Sequence, residues 1–229
     1  MRPNVTISNL TLTGGTGTIL GEGVHTSGGA IVSYGNLTVT GCTIQGNTAT
    51  FGGGIFAQAG TLTMSNCSVV NNTATFGGGI NISEFVKAVN ITNSYISNNK
   101  ANDPLLGEGG GIFITGGENV PINLVDVVMY NDSATIAGGG IYVENNQAKG
   151  GAPVLTIGFN TSITDCTATS IGSRGGGVYL GAGTLVVIGA QISFNTADLG
   201  AGLYLGKGTA ALGDLDLVCN NVDDDIYQA

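Results

Sequence analysis

Seven times along the chain a short glycine run is followed at once by an aliphatic residue, and this recurrence limits the fold more than any other feature. The run reads Gly28-Gly29-Ala30-Ile31, Gly52-Gly53-Gly54-Ile55, Gly77-Gly78-Gly79-Ile80, Gly109-Gly110-Gly111-Ile112 and Gly138-Gly139-Gly140-Ile141. It continues as Gly175-Gly176-Gly177-Val178 and Gly200-Ala201-Gly202-Leu203. The aliphatic residues stand at 31, 55, 80, 112, 141, 178 and 203, spaced 24, 25, 32, 29, 37 and 25 apart. A basal period of about 24 or 25 with insertions lies in the range of solenoids, whose repeats bury their apolar faces only by stacking on one another. The 41 glycines show no Gly-X-Y period, which excludes collagen.

A second pattern precedes most runs. Leu37-Thr38-Val39 leads to Cys42, Ile44 and Asn47; Leu62-Thr63-Met64 leads to Cys67, Val69 and Asn72. Val89-Asn90-Ile91 leads to Ser94, Ile96 and Asn99, and Leu185-Val186-Val187 leads to Ala190, Ile192 and Asn195. The alternation has period two, as half-buried strands require, and no segment holds a period of 3.6 over ten residues. Asn47, Asn72, Asn99, Asp132, Asn195 and Asn221 share one register, with Cys166 as the exception. An Asn ladder at a turn satisfies neighbouring backbone groups through side-chain amides. The fold expected is all-β: a right-handed parallel β-helix of about eight coils, essentially without α-helix, forming a single domain over 1–229.

The Gly-Gly-[Ala/Gly]-Ile tetrads, each following an aliphatic-x-x-Asn turn, resemble the repeats of polymorphic outer-membrane proteins (Pmp-type), common in large secreted bacterial β-helix proteins. Ile44, Val69, Ile96, Met129, Ile163 and Ile192 stand where that family's turn motif has Phe, and Asp132 and Cys166 replace its Asn. The closing Asn220-Asn221-Val222-Asp223-Asp224-Asp225-Ile226-Tyr227 is similar to the tail that often ends such arrays. The resemblance covers nearly the whole chain. It implies an extracellular or cell-surface, outer-membrane-associated protein. Because such solenoids host adhesins, passengers and carbohydrate-active enzymes alike, it implies no single activity.

Charge excludes some partners. The net charge is −9, and the only bases are Arg2, Lys87, Lys100, Lys149, Arg174 and Lys207, too scattered for a phosphate-tracking stripe. Nucleic acid and anionic membrane surfaces are therefore not expected as partners. No run of 18 apolar residues exists, so membrane insertion by this segment is not expected. Met1-Arg2-Pro3 runs straight into a strand-like Val5-Thr6-Ile7, and the expectation is a fragment of a longer protein.

The sharpest candidate site is a column formed by the residue after each glycine-run aliphatic: Val32, Phe56, Asn81, Phe113, Tyr142, Tyr179 and Tyr204. Side chains alternate along a strand, so if the aliphatic points inward its neighbour points outward. Phe56, Phe113, Tyr142, Tyr179 and Tyr204 are thus either a ligand-binding stripe or a stack that stabilises the solenoid. The insertions are a second candidate, around Glu84–Lys87 with Pro104–Glu108, around Gly116–Pro121, and around Glu144–Pro153 with Ser170–Arg174.

Neither metal nor cofactor is expected. His25 is the only histidine, the Ca²⁺-binding nonapeptide is absent, and Asp223-Asp224-Asp225 is the only acidic cluster. An enzyme is the alternative. A polysaccharide hydrolase would need two carboxylates about 5 to 9 Å apart, for which Asp126, Asp132 and Asp165 are candidates. A lyase would add a base, Lys149 or Arg174. Ice binding would use Thr6, Thr38, Thr63 and Thr156, a row broken by Asn90, Asn123 and Val186. Cys42 and Cys67 fall in one register, as a disulfide or as packed thiols.

The reading reached is a non-enzymatic surface or secreted β-solenoid, acting as adhesin, passenger or structural rod. Its partner would be a protein or glycan of a host or neighbouring cell, with end-to-end self-association also possible.

Overall fold

In the computed structural model, which describes residues 3–20, 24–117, 119–144, 152–214 and 216–229, the chain coils through about seven turns and, among those residues, contains no α-helix. This is close to the eight coils expected. Each turn contributes to three stacks of parallel strands. The first holds the strand after each glycine run: Ile31 pairs with Ile55, Ile55 with Ile80, Ile80 with Ile112 and Ile112 with Ile141. It continues from Ile141 to Val178, Leu203 and Ile226. The second runs Leu37, Leu62, Val89, Ile122, Leu155, Leu185 and Ala210, and the third Ile44, Val69, Ile96, Met129, Ile163, Ile192 and Val218. A short fourth ladder joins Thr73–Ala74, Lys100–Ala101, Ser133–Ala134 and Thr167–Ala168.

Period-two patterning decides which side chains enter the core. In Leu37-Thr38-Val39 the aliphatics are buried and the threonine half-exposed, and the pattern repeats from rung to rung. The stacked Ile, Leu, Val and Met columns form one continuous core. Cys42 and Cys67 are buried thiols in it. Each donates to carbonyls, Cys67 to Val39 O (3.4 Å) and Cys42 to Thr40 O (3.4 Å).

The corners are made by residues that tolerate positive φ. Asn66, Asn71, Asn93, Asn98, Asp126, Asn131, Asn160, Asp165 and Asn220 all lie between +45° and +58°. Asn and Asp are the non-glycine residues that reach this region most readily. The first glycine of each run does the same, as at Gly138 (φ +65°). The second position, glycine in six of the seven runs and Ala201 in the last, has another reason. A Cβ on Gly139 would lie 2.5 Å from both Gly176 O and Thr167 N of the next rung, so only hydrogen fits between the coils.

One rung of the core is polar. Asn47, Asn72, Asn99, Asn195 and Asn221 each use Nδ2 to donate to a carbonyl of the preceding coil: Leu12, Ile44, Val69, Ile163 and Ile192 respectively. Their Oδ1 atoms accept from the coil below, as Asn99 Oδ1 does from Asn72 N (3.0 Å). Asp132 occupies the same register. Its Oδ1 accepts from Asn99 N (2.8 Å) and Asn99 Nδ2 (3.0 Å). Its Oδ2, buried where the amides carry their NH2, has no hydrogen-bond partner.

Extra residues are absorbed without disturbing the stacks. Residues 83–87 bulge within Ile80–Ser97, where the register shifts between Ile82 and Phe85 and again between Val86 and Ala88. Residues 104–106 form a turn, and 115–117 lie in a connecting loop. Lys149 and most of the longest insertion lie outside the described residues.

Candidate functional site

The strand after the glycine run is short, and alternation leaves its middle residue facing away from the core. At Ile112–Ile114 that residue is Phe113, at Ile141–Val143 Tyr142, at Val178–Leu180 Tyr179 and at Leu203–Leu205 Tyr204. In-register pairing then stacks them. Ring centroids are 5.2 Å apart from Phe113 to Tyr142, 4.6 Å from Tyr142 to Tyr179 and 5.1 Å from Tyr179 to Tyr204, with interplanar angles of 7°, 4° and 7°. Tyr227, one period beyond Tyr204, adds a further ring at 5.3 Å.

Asn81 interrupts the column, and a residue from another register fills the gap. Phe76 lies 5.3 Å from Phe113, edge to face, and 5.4 Å from Phe51, stacked. Phe51 in turn meets Phe56 at 6.0 Å. Asn81 Nδ2 donates to Phe76 O (3.3 Å). The ladder therefore runs unbroken from Phe56 to Tyr227. Phe51 and Phe76 each stand directly before a glycine run, a repeated Thr-Phe-Gly-Gly-Gly that marks them in the sequence.

Parallel stacking sets what the ladder can offer a ligand. The faces of Tyr142, Tyr179 and Tyr204 are covered by their neighbours, so outward they present ring edges and hydroxyls. Phe56, Phe113 and Tyr204 are in fact buried, at 8%, 6% and 6% exposure, while Tyr142 and Tyr179 are half-buried. Aromatic pairs contribute about 0.5–1.5 kcal/mol beyond their area. Tyr179→Ser, which removes two such pairs, is expected to cost about 2–4 kcal/mol. An unchanged urea midpoint would show that the ladder carries no stability.

The insertions rise on both sides of this ladder. On the side preceding the glycine runs, the loop 102–107 meets the next coil through Ile136 N to Gly107 O (2.8 Å), and 170–174 meets it through Arg174 N to Ile136 O (3.3 Å). Leu105 and Ile171 are almost fully exposed at their tips. On the other side stand Glu84, Thr115 and Glu144. Hydrogen bonds from Thr115 N to Ile82 O (2.9 Å) and from Glu144 N to Ile114 O (2.8 Å) hold these in successive coils.

Between the two rims lie two clefts that share Glu108. One, of about 270 Å³, is bordered by Glu108, Tyr142, Tyr179, Arg174 and the 170–172 loop. The other, of about 360 Å³, is bordered by Phe51, Phe76, Phe113 and the three carboxylates Glu84, Glu108 and Glu144. Glu108 is pushed up to about 7, chiefly by burial. The neighbouring Glu144 raises it further, while a hydrogen bond from the Tyr142 hydroxyl works against the rise. Burial and Glu108 together hold the Tyr142 hydroxyl firmly protonated. Arg174 lies over the Tyr204 ring at 5.4 Å.

The carboxylates considered for hydrolysis are placed otherwise. Asp126 and Asp165 stand exposed at corners, and Asp132 is inside the core. The glutamates that do share a cleft come from different registers: Glu108 stands directly before a glycine run, Glu144 three residues after Ile141, and Glu84 in the bulge at 83–87. His25 is exposed beside Phe51, edge-on at 6.1 Å. Among the described residues no His, Cys, Asp and Glu group could hold a metal ion, and no helix is long and apolar enough to cross a membrane.

No curated protein and no solved structure matches the chain. The family described as the right-handed β-helix region matches residues 2–149, well over half the length, and covers the first turns of the coil and the glutamate-lined cleft. The stacked parallel strands and this match together place the chain in the right-handed β-helix family.

Proposed function

We propose that the protein is a non-enzymatic, Pmp-like β-solenoid of the cell surface or extracellular space, an adhesin or passenger whose rigid rod presents one binding groove. The observation that carries this reading is the placement of both insertion rims and both adjoining clefts along the aromatic ladder. In solenoids, insertions on one side often form the binding side. The partner is a protein or glycan on a host or neighbouring cell. Ring edges, hydroxyls and the Leu105 and Ile171 tips make the contact, and many weak contacts along a stiff rod add through multivalency.

The test uses a residue the fold does not need. Ile171 is fully exposed, so Ile171→Asp leaves thermal stability unchanged. The purified chain is expected to bind a subset of an arrayed glycan panel or a cell surface, and the variant to lose at least tenfold. Absence of binding to both panels, or full binding by the variant, would overturn the groove as the contact face.

A further inference from the structure

We propose that the cleft between Glu108 and Arg174 docks a carboxylate side chain, a glutamate or aspartate flanked by apolar residues on a partner protein, with the Arg174 guanidinium as its counter-ion. This rests on the reading of the ladder side as the binding face and chooses a protein over a glycan as the partner.

The cleft exists because one column changes size. Directly before the glycine runs, Phe51, Phe76, Glu108, Ala137, Arg174 and Leu199 follow one another in register. Ala137 is the one small side chain among them, and it holds Glu108 and Arg174 two strand spacings, roughly 10 Å, apart. The gap over it is the cleft of about 270 Å³, closed on the ladder side by Tyr142 and Tyr179.

Arg174 is a charge without a counter-ion. Its guanidinium lies over the Tyr204 ring and donates to the Tyr179 hydroxyl, and among the described residues it has no carboxylate partner. Glu108, across the gap, is raised by burial and by Glu144, with no guanidinium pulling it down. The contacts to Tyr204 and Tyr179 set the plane of the guanidinium and use one of its five N–H groups, so a fork remains for a carboxylate. Tyr179 accepts from Arg174 through its oxygen and keeps its O–H to donate into the same cleft.

The surroundings select a protein. Leu105, Leu106 and Ile171 stand exposed on the rim, in the loops that flank Ile136 from the coils on either side. Aliphatic tips gain little from a hydroxyl-covered sugar. A charged pair ringed by apolar and aromatic contacts is the anatomy of a protein–protein hot spot, where Tyr and Arg are enriched. Glu108 at the far end of the cleft disfavours a dianion such as a phosphate.

Protonation gives the docking a signature. The groups facing Glu108 are the Tyr142 hydroxyl, Tyr179 and Arg174 in this cleft, and Glu84 and Glu144 in the next. Glu108, pushed up to about 7, repels a bound carboxylate when ionised and can donate to it when neutral. A ligand glutamate, with an ordinary pKa of about 4.3, stays ionised across this range. Affinity therefore rises as pH falls from 8 to 6, and the bound carboxylate raises the Glu108 titration further.

The experiment is an NMR titration of the whole chain with the peptide acetyl-Leu-Glu-Leu-amide at pH 6 and pH 8, read on the tyrosine ring signals. The peptide with glutamine in place of glutamate and methyl glucuronoside are titrated alongside. Saturable binding of the glutamate peptide is expected, about tenfold tighter than that of the glutamine peptide at pH 6 and several-fold weaker at pH 8. Arg174→Gln should reduce it to the level of the glutamine peptide, and Glu108→Gln should remove the pH dependence. Ala137→Met, which fills the gap in a column that carries Phe76 and Leu199 on other coils, should remove binding and leave the fold intact. No saturable binding, equal binding of the two peptides, tighter binding of the glucuronoside than of the glutamate peptide, or unchanged affinity in Arg174→Gln would each overturn the proposal. A failed peptide titration with attachment still lost in Ile171→Asp strikes the choice of ligand alone, whereas full attachment by Ile171→Asp strikes the groove.

Discussion

Gly139→Ala unfolds the protein or drives it into the insoluble fraction, although it adds one methyl group. Gly139 has no positive φ, so the backbone itself would accept alanine. The obstacle is contact: the new Cβ would stand 2.5 Å from Gly176 O and Thr167 N and 2.7 Å from Thr167 C. All three are backbone atoms of the next coil and cannot rotate away. Relief requires the coils to part, which stretches Gly139 N to Gly175 O (3.1 Å) and Gly140 N to Gly176 O (3.0 Å). A loss above about 4 kcal/mol is expected, a large part of a typical domain's stability. Gly172→Ala is the comparison. Its φ is +76° but nothing lies within 4 Å of the added carbon, so the cost is backbone strain of about 1–2 kcal/mol. Chemical denaturation of both variants checks this, and equal losses would show that inter-coil contact is not what fixes these glycines.

Asp132→Asn raises stability at pH 8 and flattens its dependence on pH. Burial holds the Asp132 carboxyl well above the usual aspartate range, against the smaller opposing pull of the two Asn99 donors. The groups facing it are Asn99 on one side and the buried Cys166 thiol on the other, itself raised by burial and by Asp132. The folded state thus binds the proton more tightly than the unfolded chain, whose aspartates titrate near about 4. Below that value the contribution is fully present, and it is lost as pH rises from there toward the folded value. In every other amide of the ladder the equivalent nitrogen donates to the preceding coil, and by register the carbonyl waiting for Asp132 is that of Ile96. Asparagine supplies this donor with no change of shape. The expected gain is about 1–3 kcal/mol at pH 8, with a melting temperature higher by about 2–4 °C for each kcal/mol. The gain should shrink toward pH 4. A variant less stable than the parent at pH 8 would show that the carboxyl is satisfied in a way the amide cannot reproduce.

The parts of this architecture that repeat were readable in the chain, and the parts that do not repeat were not. Counting from each glycine run placed Ile55, Ile80 and Ile112 in one column, and it put Asp132 in the asparagine register, because in-register stacking preserves sequence phase. The same count found Phe113, Tyr142, Tyr179 and Tyr204 but not their neighbour Phe76. Filling the gap at Asn81 depends on the volume left by a small side chain, which phase does not report. Glu84 sits in a double bulge that takes it out of the repeat count, whereas Glu144 keeps a fixed offset of three from Ile141 but no other coil carries a glutamate there. Their convergence on Glu108 follows from the width of the groove, a property of the coil's cross-section. Alternation directs Phe56, Phe113 and Tyr204 away from the core, yet they are buried, with neighbouring rings, and for Tyr204 also Arg174, packed against them.

The coils differ in chain length, with 24 to 37 residues between equivalent positions, yet each adds the same height of about 4.8 Å to the rod. Drawn out between its two termini, such a rod would yield coil by coil. Each release would pay out about 3.5 Å per residue, or steps from roughly 80 to 130 Å. The order of those steps would distinguish peeling from one terminus from peeling from the other, since 24, 25, 32, 29, 37, 25 is not its own reverse. A force–extension trace of this protein would carry a bar code of its insertions, legible one molecule at a time.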